Sequence, residues 1–325
     1  MFDFSVIVLR GASASSVAMT LDILSTAAAC AKKVGCAVPQ WRIYSTRKLV
    51  RLSNGVSVGA TPLPKKLSHD GSVWIIPGLD LQTVAEVTTR FDEPDAKRAI
   101  NALQEHVRAG GEVAASCSAV FLLRAAGLLD HRRVTTTWWF AGLLQQMAPT
   151  CTVDGDRLLV VDKNIVTGGA AFAQIDVMLY LLRTRFNPTL AEAVSRNLLI
   201  DGRGSQAQFI VPAALANGNE LVGKLVSLYE ARLRNPPSIE RLATELCMSS
   251  RTLSRHVKVA TGRSTSALLQ HVRISRARML LEAGNLTIEQ IAEEIGYGDT
   301  TALRRLMRKL TGSTPRQFRP SVLPK

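Results

Sequence analysis

Apolar residues between position 3 and about position 185 fall in short runs separated by longer stretches of helical spacing. Phe4 to Leu9, Trp41 to Ser45, Val73 to Ile76 and Glu112 to Ala115 read as strands, and the patterns across 16–33 and 95–108 read as helices. Such alternation predicts a mostly parallel sheet with helices on both faces, whose ligands gather at the carboxyl ends of the strands. Three turns fall there: Arg10 to Ser15, Pro77-Gly78-Leu79, and Ala115-Ser116-Cys117-Ser118-Ala119. In the third, Cys117 follows a short strand and precedes Val120 to Gly127, a helical pattern with a Gly cap. Small neighbours on both sides suit a strand-to-helix elbow that exposes one side chain. A helix N-terminus there is expected to lower the thiol pKa and to present amide N–H groups to an anion or carboxylate.

The pattern changes toward the C-terminus. Gly202, Gly204, Pro212 and Gly218 break the periodicity, which marks 201–217 as a linker between domains at 1–200 and 218–325. Helical spacing resumes from Asn219 to Arg234, stops at Asn235-Pro236-Pro237 and restarts after Ser238. Two copies of one motif follow. The first runs through Leu242-Ala243 and Met248 to Arg255 to Thr261-Gly262, the second through Ile291-Ala292 and Gly296 to Arg305 to Thr311-Gly312. The offset is 49 residues at Leu242/Ile291 and 50 at Arg255/Arg305, because the turn Gly296-Tyr297-Gly298 carries one residue more. Each copy reads as a short helix, a tight turn and a second helix, the layout whose second helix enters a DNA major groove. Ser249 and Asp299 stand at the N-cap positions of those second helices.

Helical period divides each second helix into two faces. Leu246, Leu253 and Val257 in one copy, and Ile295, Leu303 and Met307 in the other, are core positions. Arg251, Ser254, Arg255 and Lys258, and Thr300, Thr301, Arg304, Arg305 and Arg308, face outward. Between the copies, Thr265 to Ala283 reads as one helix stopped by Gly284-Asn285. At about 1.5 Å per residue it spans roughly 27 Å, close to the 34 Å between successive major grooves on one DNA face.

Charge sharpens this division. Formal net charge is +14, with 18 Lys+Arg against 9 Asp+Glu in 211–325 and 22 against 17 before it, so the smaller segment holds the larger basic excess. A basic excess on a helical module favours phosphate contact through counterion release. At 325 residues, 46% hydrophobic and 20% charged, the chain has an ordinary globular composition. Arg10, Asp22, Lys32 and Lys33 interrupt the most apolar early stretch, so no membrane span is expected, and the opening Asp3 argues against a signal peptide. Five cysteines without a Cys-x-x-Cys pair argue against a disulfide framework and a structural zinc site, and fit a reducing cytoplasm.

Residues 218 to 319 resemble the AraC/XylS DNA-binding domain, through Met248-Ser249-x-Arg251-x-Leu253-x-Arg255, Gly262, Ile291-Ala292-x-x-x-Gly296-Tyr297 and Gly312-x-Thr314-Pro315-x-x-Phe318-Arg319. Residues 3 to about 200 resemble the class I glutamine amidotransferase-like fold in its PfpI-type branch, a flavodoxin-like α/β domain. That likeness rests on Ile76-Pro77-Gly78, the Cys117 elbow, Ala126-Gly127-Leu128-Leu129-Asp130, Thr167-Gly168-Gly169 and Ile175-Asp176. Their order is that of GlxA-like transcriptional regulators. The resemblance implies a cytoplasmic homodimer, an activator, that binds promoter DNA, works with RNA polymerase and senses a nitrogenous metabolite. It implies base-edge contacts for Arg251, Ser254, Arg255, Thr300, Thr301, Arg304 and Arg305, and phosphate contacts for Lys258 and Arg308. It implies an effector pocket at Gly78, Cys117, Ser118, Thr137 and Trp138, with no cofactor and no metal.

One departure bears on chemistry. Relatives with a Cys-His pair show Thr-Thr-His-Trp after the elbow helix, whereas this chain has Thr135-Thr136-Thr137-Trp138. Thr137 stands where the imidazole would be, and no motif brings His69, His106 or His131 to the thiol. The chain is therefore expected not to be an enzyme. Two rivals remain: a PfpI-like thiol hydrolase or amidase with an appended DNA-binding domain, and an architectural nucleoprotein without sequence preference.

Overall fold

The computed structural model describes residues 2–64, 71–200, 206, 219–311 and 313–319. The chain divides into two compact units, 1–137 with 147–203 and 138–146 with 204–325. The stretch that the sequence reading takes as linker, 201–217, lies outside the described residues apart from Gln206.

The first unit is built on a seven-stranded sheet. Its strands are β1 (Phe4–Ile7), β2 (Trp41–Ser45), β5 (Thr61–Pro62), β6 (Val73–Ile76), β7 (Val113–Ser116), β10 (Leu159–Asp162) and β11 (Ile165–Gly168). Small two-stranded pairs are formed by β3 (Leu49–Arg51) with β4 (Ser57–Gly59), and by β8 (Arg133–Val134) with β9 (Thr152–Val153). The order is β10-β11-β7-β6-β1-β2-β5, parallel throughout except for the antiparallel edge pair β10/β11. Every residue of β1, β6, β7 and β11 is buried. That explains why these strands read as unbroken apolar or small-residue runs, since a parallel sheet is covered on both faces. The predicted strands at 41–45 and 73–76 have the observed bounds, while β7 starts one residue later than expected and ends at Ser116.

Helices α1 (Ala14–Ala31), α6 (Gln174–Arg185) and α7 (Pro188–Asn197) pack against one another. The remaining helices of this unit are α2 (Val84–Arg90), α3 (Pro94–Arg108) and α4 (Val120–Ala125). One expectation needs correcting. The segment Ala14–Val34 is long and apolar enough to cross a membrane by length and composition alone, because Asp22 is its single charge before Lys32. Val17, Ile23, Leu24, Ala27 and Ala31 nevertheless lie buried, as in a core helix that packs on neighbouring helices.

The second unit is helical: α5 (Ala141–Met147, at its edge), α8 (Glu220–Glu230), α9 (Ile239–Glu245), α10 (Ser250–Thr261), α11 (Thr265–Ala283), α12 (Ile288–Glu294) and α13 (Thr300–Thr311). Two separate apolar clusters hold it. One contains Val222, Leu225, Leu242, Leu253, Val257 and Val272, the other Ile274, Ala277, Ile291, Leu303 and Met307. Each cluster belongs to one copy of the repeat, and α11 has the predicted bounds.

Candidate ligand site and nucleic-acid interface

The three turns predicted at the carboxyl ends of the strands do converge. Ser13 N–H donates to the Gly78 carbonyl at 2.8 Å, Asp80 N–H donates to the Gly11 carbonyl at 3.1 Å, and Ser118 Oγ donates to the Leu79 carbonyl at 2.5 Å. Cys117 sits at the junction with φ of 55°, the left-handed region that non-glycine residues rarely enter. Close approach explains Gly78: a Cβ there would lie 2.9 Å from Cys117 Cβ and 3.2 Å from Ser16 Oγ. Thr136 Oγ1 donates to the Cys117 carbonyl at 2.7 Å, and Thr135 N–H donates to Thr167 Oγ1 at 2.9 Å, so the threonine run lies against the elbow and β11.

The elbow does not lower the thiol pKa as the sequence led us to expect. Burial pushes Cys117 up to about 11, against smaller opposing effects from the Ser118 amide and hydroxyl and a further push from the charge of Asp80. At 6% exposure the desolvation of a thiolate outweighs what one turn of helix returns. The thiol is thus neutral near pH 7. His106 is committed elsewhere: its ring stacks on Trp74 at 4.4 Å and its Nε2 meets the Glu112 carbonyl at 3.1 Å. Glu112 is five residues before Cys117, about 16 Å along an extended strand. His131 is exposed in a turn, and His69 lies outside the described residues. Among the described residues no group of three or more His, Cys, Asp or Glu is placed to hold a metal ion.

Three fully buried oxygens in this unit, Ser116 Oγ, Thr137 Oγ1 and Gln174 Oε1, have no hydrogen-bond partner among the described residues. Gln174 Nε2 donates to Thr20 Oγ1 at 2.9 Å, one helical turn along α1 from Ser16. Ser16 and Gln174 were not expected at the pocket, because an isolated Ser or Gln within a helical pattern carries no motif, and Ser116, the last residue of β7, was named only as part of the third turn. Of the residues expected at an effector pocket, Gly78, Cys117, Ser118 and Thr137 are all buried in the first unit, and the first three meet at the elbow. Trp138 does not join them: it belongs to the second unit, in the cluster with Val222, Leu225, Leu253 and Val257.

In the second unit, both reading helices begin with the expected caps. Ser249 Oγ accepts from Thr252 N–H at 3.2 Å, and Asp299 Oδ1 accepts from Thr301 N–H at 2.8 Å. That bond, accepted by the ionised form, holds the Asp299 carboxyl below the usual carboxylate range. Leu253 and Val257 point inward from α10, and Leu303, Leu306 and Met307 from α13. Arg251, Ser254, Arg255 and Lys258 are exposed on the first helix, and Thr301, Arg304, Arg305 and Arg308 on the second, with Thr300 half-buried. Arg251, Arg255, Arg305 and Arg308 have no carboxylate partner among the described residues. Lys258 is engaged differently, donating from Nζ to the Gly262 carbonyl at 2.7 Å beyond the helix end.

Comparison with known proteins matches residues 242–321 to a helix-turn-helix domain family and residues 86–184 to the DJ-1/PfpI family. The chain is 28% identical over 220 residues to the HTH-type transcriptional regulator GbdR of Pseudomonas aeruginosa, a match covering 67% of this chain and 60% of the relative. It is 27% identical over 281 residues to the HTH-type transcriptional regulator GlxA of Rhizobium meliloti, covering 83% and 81%. A crystal structure of a candidate transcriptional regulator from Vibrio parahaemolyticus superposes with a TM-score of 0.51 at 18% identity, over 61% of this chain and 98% of that one; the likeness is one of fold. Residues 86–184 thus resemble the DJ-1/PfpI family and residues 242–321, behind them, resemble a helix-turn-helix domain, and the transcriptional regulator GlxA is similar to this chain over most of its length.

Proposed function

We propose that this chain is a sequence-specific, DNA-binding transcription regulator, an activator, whose α/β unit binds a small metabolite. The observation that carries the reading is the pair of capped helices α10 and α13, each anchored by its own core and each presenting arginines without carboxylate partners. Exposed guanidinium groups on a reading helix bind guanine O6 and N7 with two hydrogen bonds or neutralise phosphate. In this reading Arg251, Ser254, Arg255, Thr300, Thr301, Arg304 and Arg305 meet base edges and Arg308 reaches phosphate. The names of GbdR and GlxA, both transcriptional regulators, support it.

The effector, a small nitrogenous metabolite, occupies the elbow at Gly78, Cys117, Ser118 and Thr137, where unpartnered buried hydroxyls offer hydrogen bonds at a cost the free protein already bears. Cys117 acts there as a neutral contact, not as a nucleophile, since Thr137 stands where Cys-His relatives have their base and the thiol stays protonated. Thr137 is followed in the chain by Trp138, a core residue of the helical unit, so backbone adjacency offers a route by which ligand binding favours one arrangement over another. The protein works in the cytoplasm as a homodimer alongside RNA polymerase. The test is selection of binding sites from random duplexes by the full chain. A preferred sequence bound at least about a thousandfold over random DNA at fixed salt supports the regulator, and equal affinity for both points to a nonspecific nucleoprotein.

A further inference from the structure

Helix α11 carries the two cores of the helical unit on opposite sides. Leu268, Leu269 and Val272 belong to the first cluster, and Ile274, Ala277 and Leu281 to the second. At about 100° per residue, Val272 and Ile274 point roughly 200° apart, so the changeover occurs at Arg273. Arg273 lies in the seam this creates. Its Nε donates to Tyr229 Oη at 2.6 Å, and its guanidinium lies over the Tyr297 ring at 4.9 Å and the Tyr229 ring at 5.6 Å. Tyr229 is part of the first core and Tyr297 packs against the second. Beside this clamp the two modules approach at backbone distance. Gly296 has φ of 72°, and a Cβ there would lie 2.4 Å from the Leu233 carbonyl oxygen and 2.7 Å from Pro236 Cδ. Arg234 also bridges to Glu294 at 2.7 Å.

Apart from the shared helix α11, these contacts are where the two copies of the repeat meet, and each reading helix packs within its own cluster. From the seam at Arg273 to either end of α11 is roughly 12 to 15 Å, so a 10° change there moves that end by about 2 to 3 Å, most of the 3.4 Å rise of one base pair. We propose that Arg273, clamped between Tyr229 and Tyr297, is a positioning residue that sets the base-pair spacing between the two half-sites which one chain reads. The inference rests on the DNA-reading function proposed above. Arg273 acts through the angle between modules and touches no base.

The test uses the full chain and the duplex it selects, with one base pair inserted or removed between the half-sites, followed by fluorescence anisotropy at fixed salt. The wild type is expected to lose about tenfold in affinity for either change, comparable to the cost of a mismatched pair. Arg273→Ala is expected to reduce that penalty to about twofold while each half-site alone binds as in the wild type. Tyr229→Phe, which removes only the acceptor hydroxyl, is expected to fall between them. A variant that keeps the tenfold penalty, or that weakens half-sites and full sites equally, overturns the proposal. If Arg273→Ala loses half-site binding altogether, Tyr229→Phe decides: an unchanged spacing penalty overturns the idea. A wild type that selects no sequence refutes the DNA-reading function itself, a result distinct from any of these.

Discussion

Thr136 Oγ1 donates a 2.7 Å hydrogen bond to the carbonyl of Cys117, tying the residue with the strained backbone to the strand-following threonine run. The same carbonyl also accepts from the Val120 amide at the start of α4. Replacing Thr136 with Val keeps the shape and removes the donor, so the carbonyl keeps one partner. A loss of about 1 kcal/mol in urea unfolding is expected, with Thr136→Ser near wild type. Equal loss in both variants would assign the effect to packing.

The Cys117 thiol, pushed up to about 11, should react slowly with iodoacetamide at pH 7 and faster as pH climbs toward 11. Rapid labelling at pH 6 would contradict the burial argument and restore the thiol-enzyme rival. Stability follows the same groups. Cys151 is likewise raised to about 11, so from an ordinary value of 9.0 the unfolded chain releases these protons first. The folded state then holds more protons than the unfolded state, and the contribution, fully present below about pH 9, is lost as pH rises toward 11. Thermal unfolding across that window is expected to show a falling midpoint, shallower in Cys151→Ala.

Gly78→Ala places a methyl 2.9 Å from Cys117 Cβ, which forces the elbow or the turn to move. Overpacking of this kind costs about 1 to 3 kcal/mol. Gly59→Ala meets nothing within 4 Å and serves as the control. A chain stabilised by Gly78→Ala would mean that the turn relaxes freely and the elbow is not held against it.

Arg255→Ala and Arg305→Ala are expected to relax discrimination at particular base pairs by about 1 to 3 kcal/mol, read by competition binding against a panel of single-base variants. Arg308→Ala should weaken all sequences alike and reduce the salt slope by about one. Lys258→Ala separates two roles for a side chain whose ammonium already holds the Gly262 carbonyl: an unchanged salt slope with lower stability assigns it to the helix end.

Asp299 caps α13 with an oxygen that carries charge. Asp299→Asn preserves the acceptor and removes the repulsion of a nearby phosphate, so DNA affinity should rise a few-fold at low salt and converge with wild type at high salt. Higher affinity that persists at high salt would point to a new hydrogen bond.

Local pattern carried much of this molecule. The run at Phe4–Ile7, apolar but for the small Ser5, the unbroken apolar run at Val73–Ile76 and the small-residue run at Val113–Ser116 were legible because a parallel strand buried on both faces leaves no room for polar alternation. The repeat was legible because a cap, a helical period and a closing glycine, Gly262 or Gly312, recur within about thirteen residues, short enough for sequence spacing to report geometry. Tertiary structure decided the rest. Thiol chemistry at Cys117 depended on how deeply the elbow is covered, and that cover comes from neighbours far away in sequence such as Gly78. Trp138, adjacent to Thr137, went to the core of Val222 and Leu253, since a large ring buries itself wherever packing space is available. Arg273 looked like one more basic residue on a helix; only the convergence of Tyr229 and Tyr297, 44 residues before it and 24 after it, made it a clamp. Periodicity states which face of an element is apolar, but not which distant element will meet that face, because chain entropy and packing choose the partner globally.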